Sequence, residues 1–198
     1  MRTYLNNDWQ FFESWTDDVL KGAKGQTVRI PHTVATTPFN CYDESMYCLL
    51  SGYSRVLTLN DVAGKTYLLT FEAVAHYAEV FVNGQLVATH ANGYTAFTID
   101  VTNYVHDGDN IVAVKVDSRE TLNQPPFGFV IDYQTYGGIY RDVYVEEKQG
   151  VYVEDVFVQA LPDKPIIVDV TLNNFTENVQ LKAEIWTATK PCFPPSTR

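Results

Sequence analysis

The chain has 198 residues, of which 45% are hydrophobic and 14% aromatic, and this is enough apolar material for one packed domain and a small or partial second one. Its formal net charge is −10, which argues against nucleic acids and anionic membrane surfaces as partners, because both demand basic patches. The first residues carry no basic-then-apolar signal pattern, and no apolar run approaches the length of a membrane span.

The predicted elements are β-strands, which show in chain order as apolar residues alternating with polar ones. In residues 65–73 the alternation places four side chains on one face, those of Tyr67, Leu69, Phe71 and Ala73. The next strand does the same with Ala78, Val80 and Val82. Asn83-Gly84 then supplies the two positions of positive φ that a tight hairpin needs, and the chain returns through Leu86 and Ala88.

Further strands are predicted at 96–105 and 110–118, and the second of these turns inward Val112, Val114 and Val116. We interpret His106–Asp109 between them as a hairpin turn, since the downstream glutamate of an EF-hand calcium loop is missing. Four more alternating segments follow at 142–147, 155–160, 166–172 and 179–186, the last with Val179, Leu181, Ala183 and Ile185 inward. Many short strands without a helical period predict an all-β protein built as an antiparallel sandwich.

Two long excursions, residues 31–53 and 118–136, interrupt this rhythm. Long loops in a compact domain are usually functional. Both are rich in aromatic residues, which either pin the loops to the sandwich or offer ring faces to a sugar: Tyr42, Tyr47, Tyr53, Phe127, Phe129, Tyr133 and Tyr136. The carboxylates at Asp43-Glu44 and from Asp117 to Glu120 are either acceptors for sugar hydroxyls or parts of a solvated loop.

The sequence holds no GxSxG, HExxH, P-loop or GxGxxG motif. Its four histidines are dispersed, so we interpret them as surface or core-edge residues rather than metal ligands: His32, His76, His90 and His106. Cys41, Cys48 and Cys192 form no CxxC pair, and reduced thiols in a cytoplasmic protein are the simplest interpretation. We therefore expect no metal ion and no cofactor.

The segment GGIYRDVYVE, Gly137 to Glu146, is interpreted as architecture rather than as a phosphate loop, because it runs into a strand and lacks a Lys-Ser/Thr pair. The two glycines let the chain turn sharply out of the second excursion. Val143 and Val145 then take the core face. We expect Arg141 to tie this strand to a carboxylate or to backbone carbonyls near the domain junction.

Several motifs, taken in order, resemble the opening of the family 2 glycoside hydrolases, the β-galactosidase and β-glucuronidase group. They begin with Trp9-x-Phe11, RIPHTV at 29–34, YDESMY at 42–47 and SGYSR at 51–55. The stretch 69–105 continues with FEAV, the A-x-V-x-VNG hairpin, H-x-x-GY-x-x-F and a D-x-T turn. NIVAVKVDS and GGIYRDVYV then follow in the family's order, so the resemblance covers about residues 9 to 148.

The resemblance implies a galactose-binding-domain-like jelly roll that binds sugar, at residues 1–148. It implies that residues 149–198 begin an immunoglobulin-like β-sandwich, which is incomplete because only about three strands are predicted there. In the family a separate barrel carries the two glutamates of a retaining double displacement, so no catalytic residue is expected in this chain. Substrate contacts are expected from the loop before GGIYRDV. Asp132 is the main candidate, and Asn123, Phe129 and Tyr136 are weaker candidates on the same loop.

Two hypotheses follow. In the first, the chain is the N-terminal sugar-binding portion of a β-glycosidase, without hydrolytic activity of its own. In the second, it is a free-standing carbohydrate-binding or assembly module. Both give it a β-glycoside as ligand, and both leave the open edge of the second sheet to pair with the rest of the parent enzyme or with another copy.

Overall fold

The computed structural model describes residues 1–40, 43–121, 136–175 and 179–184. Within these ranges the structure has twelve β-strands: β1 (Arg2–Tyr4), β2 (Trp9–Phe12), β3 (Gln26–Val28), β4 (Leu50–Leu59), β5 (Lys65–Phe71), β6 (Tyr77–Val82), β7 (Gln85–His90), β8 (Phe97–Asp100), β9 (Gly108–Asp117), β10 (Val143–Gln149), β11 (Tyr152–Gln159) and β12 (Ile167–Asn173). The same ranges contain three 3₁₀ helices: Val19–Lys21, Glu44–Tyr47 and Thr102–Tyr104. No described helix has the length and apolar character required to cross a membrane. The predicted all-β class is confirmed.

The chain divides into two units, Met1–Gly150 and Val151–Arg198. In the first unit a six-stranded sheet has the order β3-β2-β4-β9-β6-β7, and a four-stranded sheet has the order β1-β10-β5-β8. All neighbouring strands are antiparallel. Buried side chains of both sheets form one core, which makes this unit a β-sandwich.

The alternation seen in the sequence corresponds to this core. Tyr67 is 1% exposed, and Leu69 and Phe71 are fully buried. Inward residues of β6 and β9, Val80 and Val114 among them, are also fully buried. The hairpin between β6 and β7 is confirmed too, because φ is 50° at Asn83 and 78° at Gly84.

The hairpin predicted at His106–Asp109 is wrong. Strand β8 pairs with β5 in the four-stranded sheet, whereas β9 lies between β4 and β6 in the six-stranded sheet. Residues 101–107 therefore cross from one sheet to the other, and Asp109 is already paired with Thr58 inside β9. Turn-forming residues mark where a strand ends, but they do not specify which sheet the next strand joins.

The first excursion ends earlier than predicted, because β4 begins at Leu50. Ser51, Gly52 and Tyr53 pair with Val116, Lys115 and Val114 of β9. On the other side of β4, Tyr53 also pairs with Phe11 of β2. Glycine is depleted in strands, and the pairing of Gly52 with Lys115 on one side and with Phe12 on the other overrides this preference.

The second unit is described through one antiparallel pair, β11 with β12. The strand predicted at 179–186 is wrong for the described residues 179–184, which adopt no strand, and Val179 and Leu181 are 36% and 55% exposed. An alternating pattern becomes a strand only where another strand offers its hydrogen-bonding edge, and no described strand pairs with this segment. Ala183 belongs to the same segment, and Ile185 lies outside the described residues.

Candidate functional site

Four of the links between strands of the first unit meet at one end of the sandwich. Residues 72–76 join β5 to β6, and residues 91–96 join β7 to β8. Residues 29–49 lead into β4, and residues 118–142 connect β9 to β10. The registers place these links together, because Tyr77 and Leu50 both pair with Asp117 while Phe71 pairs with both Val143 and Phe97. We call this the loop end.

The buried Tyr53 and the half-buried His32 form the base of the loop end. The Tyr53 hydroxyl lies 2.9 Å from Nδ1 of His32, and Tyr53 is fully buried. Burial raises the pKa of Tyr53 and lowers the pKa of His32, so both side chains are neutral at pH 7. Gly138, with φ of 99°, approaches so closely that a Cβ there would lie 2.7 Å from the His32 carbonyl oxygen. The two glycines thus provide the predicted sharp turn, in a place where no larger residue fits.

Ser118 fastens the end of the first excursion to the start of the second. Its hydroxyl donates to the Tyr47 carbonyl at 2.6 Å and accepts from the Leu49 N–H at 3.1 Å. Its own N–H donates to the Leu49 carbonyl at 2.9 Å. The Tyr47 side chain is 1% exposed and its hydroxyl bonds to that of Thr37. Tyr47 and Tyr53 therefore act as loop anchors, one of the two roles that the sequence left open.

Tyr136 is the predicted sugar-contacting residue that falls within the described part of the chain. It is 48% exposed, and its ring meets the Tyr47 ring edge-on with centroids 5.4 Å apart. Asn123, Phe129 and Asp132 lie outside the described residues. Tyr136 thus has a solvent-exposed aromatic face and packs against the buried ring of Tyr47. An exposed aromatic face of this kind can stack against the CH-rich face of a sugar.

Two carboxylates considered as sugar acceptors have local partners. Asp43 accepts a hydrogen bond from the Ser45 N–H at 2.9 Å, and this bond lowers the pKa of its carboxyl. Asp117 receives the Arg119 guanidinium through two bonds of 2.8 and 2.7 Å. Both contacts are within a few residues of the carboxylate, so they shape the loops in which these residues lie.

His76 is the loop-end residue that the sequence did not single out. The residue is 2% exposed, and its backbone N–H donates to the backbone carbonyl of Asp117 at 3.1 Å. Burial lowers the pKa of its imidazole, while Glu120 and Asp117 oppose this with smaller effects. The preceding residue, Ala75, exchanges two backbone hydrogen bonds with Gly138, of 2.9 and 3.0 Å. His76 is buried because links from distant parts of the chain meet around it. The sequence, in which the four histidines are dispersed, therefore did not predict its burial.

Within the described ranges, no three His, Cys, Asp or Glu side chains are grouped so that they could hold a metal ion. Besides the locally bonded carboxylates of Asp43 and Asp117, the loop end brings together neutral hydrogen-bonding groups and aromatic rings. Such a surface can bind a polar, uncharged or weakly charged organic ligand through ring stacking and hydrogen bonds.

Comparison with known proteins identifies relatives of this chain. The family model described as glycosyl hydrolases family 2, sugar binding domain, matches residues 13–149. A β-galactosidase of Thermoanaerobacter pseudethanolicus is 34% identical over 176 residues, covering 84% of this chain and 24% of the relative. A β-galactosidase of Thermoanaerobacterium thermosulfurigenes is 34% identical over 195 residues, covering 91% and 27%. The chain thus spans about a quarter of the length of these curated relatives.

A solved structure shows the same fold. It is that of a Bifidobacterium dentium β-glucuronidase complexed with coumarin-3-O-glucuronide, which superimposes with a TM-score of 0.72 at 19% identity. The match covers 87% of this chain and 36% of that one. At this level of identity the likeness concerns the fold.

Proposed function

Because the chain belongs to the family 2 glycosyl hydrolases, we propose that it is the sugar-binding N-terminal portion of a β-galactosidase- or β-glucuronidase-like enzyme of carbohydrate metabolism. One observation carries the proposal: the match to the family's sugar-binding domain, residues 13–149, spans nearly all of the unit Met1–Gly150 and includes its loop end. Curated relatives in this family are β-galactosidases about four times as long, which supports an activity assembled with further domains.

We assign the sugar contacts to the second excursion. Tyr136 supports this with its exposed ring, held edge-on by the buried Tyr47. Asp132, Asn123 and Phe129 lie on the same excursion, and a carboxylate at Asp132 would accept hydrogen bonds from sugar hydroxyls. In this proposal hydrolysis belongs to glutamates outside the chain, and the loop end helps to shape the substrate's surroundings.

The second unit supports a role within a larger enzyme over a free-standing module. Along β11, Val156 and Val158 lie on one face and Phe157 on the other, and they are 49%, 54% and 56% exposed. A two-stranded hairpin that exposes apolar side chains on both faces has marginal stability in water. We propose that it opens the immunoglobulin-like sandwich predicted for 149–198, after the sugar-binding domain at 1–148, and that the rest of the enzyme covers it.

A cytoplasmic location is also proposed. It rests on the expectation of reduced thiols at Cys41, Cys48 and Cys192. Alkylation with a thiol-specific reagent in cell extract tests this location. We expect all three cysteines to be modified without prior reduction.

Calorimetric titration of the chain with methyl β-D-galactoside and methyl β-D-glucuronide tests the sugar-binding role. We expect binding in the millimolar-to-micromolar range, weakened about tenfold by Tyr136→Ala or Asp132→Ala, because each removes a stacking or hydrogen-bonding contact. Tyr4→Ala is the matched control, since Tyr4 is 55% exposed and lies in β1.

The same chain should not hydrolyse nitrophenyl β-galactoside or nitrophenyl β-glucuronide. Turnover that a substitution within this chain abolishes would contradict the assignment of catalysis to other domains. A flat titration with every simple and oligomeric sugar would contradict the sugar-binding role itself.

A further inference from the structure

The imidazole of His76 is buried without hydrogen-bond partners. The residue is 2% exposed, and neither Nδ1 nor Nε2 has a hydrogen-bond partner. Buried polar atoms in folded proteins are nearly always bonded, so an exception points to an occupant such as a water molecule or a ligand. Leaving such atoms unbonded lowers the stability of the folded chain.

Two other polar side chains at the described loop end, the half-buried His32 and the buried Ser118, are satisfied. His32 bonds to Tyr53, and Ser118 bonds to the backbone of Tyr47 and Leu49. Among the described residues, the other buried atoms without partners are the hydroxyls of Ser54 and Tyr67. Ser54 lies in the middle of β4, and Tyr67 lies toward the end of β5 that pairs with Glu147, away from the loop end. His76 is thus the unsatisfied group at the end where the sugar site is proposed.

Backbone contacts hold His76 close to the proposed sugar site. Ala75 is bonded to Gly138, which is two residues from Tyr136. The backbone N–H of His76 donates to the carbonyl of Asp117, the residue before Ser118. A Cβ on Gly137, the residue after Tyr136, would lie 2.5 Å from the Cβ of Ser118, the residue after Asp117, so these two backbone positions are in close contact. The imidazole and the exposed tyrosine therefore occupy the same corner of the sandwich.

A neutral imidazole presents one N–H donor and one nitrogen acceptor. Burial favours this neutral form, as the lowered pKa of His76 indicates. A sugar hydroxyl both donates and accepts, so hydroxyl groups on opposite sides of the ring can satisfy the two nitrogens. A carboxylate could satisfy only the N–H.

We propose that His76 is a specificity-determining residue of the sugar site, with its ring nitrogens hydrogen-bonded to hydroxyl groups of the bound glycoside. The inference rests on the proposed sugar-binding function and deepens it. Because the ring is covered in the structure, ligand entry must uncover it. Sugar binding is therefore expected to perturb the backbone amides of Tyr77 and Gly93 as well as the ring, since Gly93 packs against Ala75 and His76.

The first test is a titration of the ¹⁵N-labelled chain with methyl β-D-galactoside or methyl β-D-glucuronide, followed by NMR. We expect both ring nitrogens of His76 to shift at saturation, as a change from no partner to a hydrogen-bonded partner requires. Unchanged ring-nitrogen shifts at saturation overturn the proposal.

The second test is the variant His76→Leu, which removes both nitrogens at similar side-chain volume. We expect it to retain or raise the melting temperature and to bind the glycoside about tenfold more weakly. His106→Leu is the matched control, because His106 is exposed and its Nδ1 bonds at 2.9 Å to the carbonyl of the adjacent Asp107. Wild-type affinity in His76→Leu overturns the proposal, and so does a lowered melting temperature, which would show that internal water already satisfies the ring.

These outcomes separate the two proposals. If the wild-type chain binds and Tyr136→Ala weakens binding while His76→Leu does not, the role of His76 fails and the sugar-binding function stands. If the wild-type chain binds neither glycoside, both fail.

Discussion

Asn6 joins the N-terminal segment to the start of β10 through two hydrogen bonds and to Ile30 through a third. Its Nδ2 donates to Oδ1 of Asp142 at 2.9 Å, and its Oδ1 accepts from the Val143 N–H at 3.1 Å. Its carbonyl accepts from the Ile30 N–H at 2.9 Å. The tie predicted for Arg141 is wrong: this residue is exposed, and its contact is with the neighbouring Tyr140, whose ring centroid lies 5.8 Å from the guanidinium carbon. In GGIYRDV the aspartate makes the fixed contact.

We expect Asn6→Ala to lower the free energy of unfolding by about 1–3 kcal/mol, because it leaves the Val143 N–H and the half-buried Asp142 without side-chain partners. Arg141→Ala is the control and should change the free energy by less than about 0.5 kcal/mol. Urea unfolding followed by tryptophan fluorescence measures both. A larger loss for Arg141→Ala than for Asn6→Ala would restore the original interpretation of the arginine.

At the scale of elements, a pair of asparagines fixes the link from β8 to β9. Asn110 is fully buried, and its Oδ1 accepts from Nδ2 of Asn83 at 2.8 Å and from the His106 N–H at 2.9 Å. Its own Nδ2 donates to the His106 carbonyl at 2.8 Å and lies 3.1 Å from the Gly108 carbonyl. Asn83 in turn accepts from the Ile111 N–H at 2.9 Å. The residue that begins the β6–β7 turn therefore also holds the crossover between the sheets.

Asn110→Ala should lower the free energy of unfolding by about 2–4 kcal/mol, because several buried groups lose their partner at once. Asn60→Ala, at an exposed position, should stay within about 0.5 kcal/mol of wild type. Thermal unfolding monitored by circular dichroism compares the two. Equal melting temperatures would show that the crossover does not depend on this network.

At the scale of the whole molecule, burial of histidines makes stability depend on pH. Burial lowers the pKa of both His32 and His76 in the folded chain, whereas an unfolded histidine titrates near pH 6.5. Below that pH the unfolded state binds more protons than the folded state, so acid favours unfolding. The folded state therefore keeps its full stability with respect to these two histidines above pH 6.5. It loses stability as the pH falls from there toward their lower pKa in the folded chain.

We expect the free energy of unfolding of the wild type to lose more between pH 7 and pH 5 than that of His76→Leu. The comparison isolates one imidazole, since both chains carry the same carboxylates and the same change in overall charge repulsion. Urea unfolding at pH 7, 6 and 5 provides the values. Parallel pH profiles for the two chains would show that His76 is protonated equally in the folded and unfolded states.

The sequence by itself determined where the central strands β5, β6, β7 and β9 lie and which side chains of β5, β6 and β9 face the core, because alternation of side chains is a local property of the extended chain. Tyr67, Leu69, Phe71 and the Asn83-Gly84 hairpin could be predicted on that basis, and the order of motifs identified the family. Only the tertiary structure decided that 101–107 crosses between sheets, that β4 begins at Leu50, and that Asp142 rather than Arg141 is fixed. It also decided the burial of His76, which depends on separate links meeting at one end of the sandwich. Such pairings join residues far apart in the chain, and no local pattern of residues encodes them.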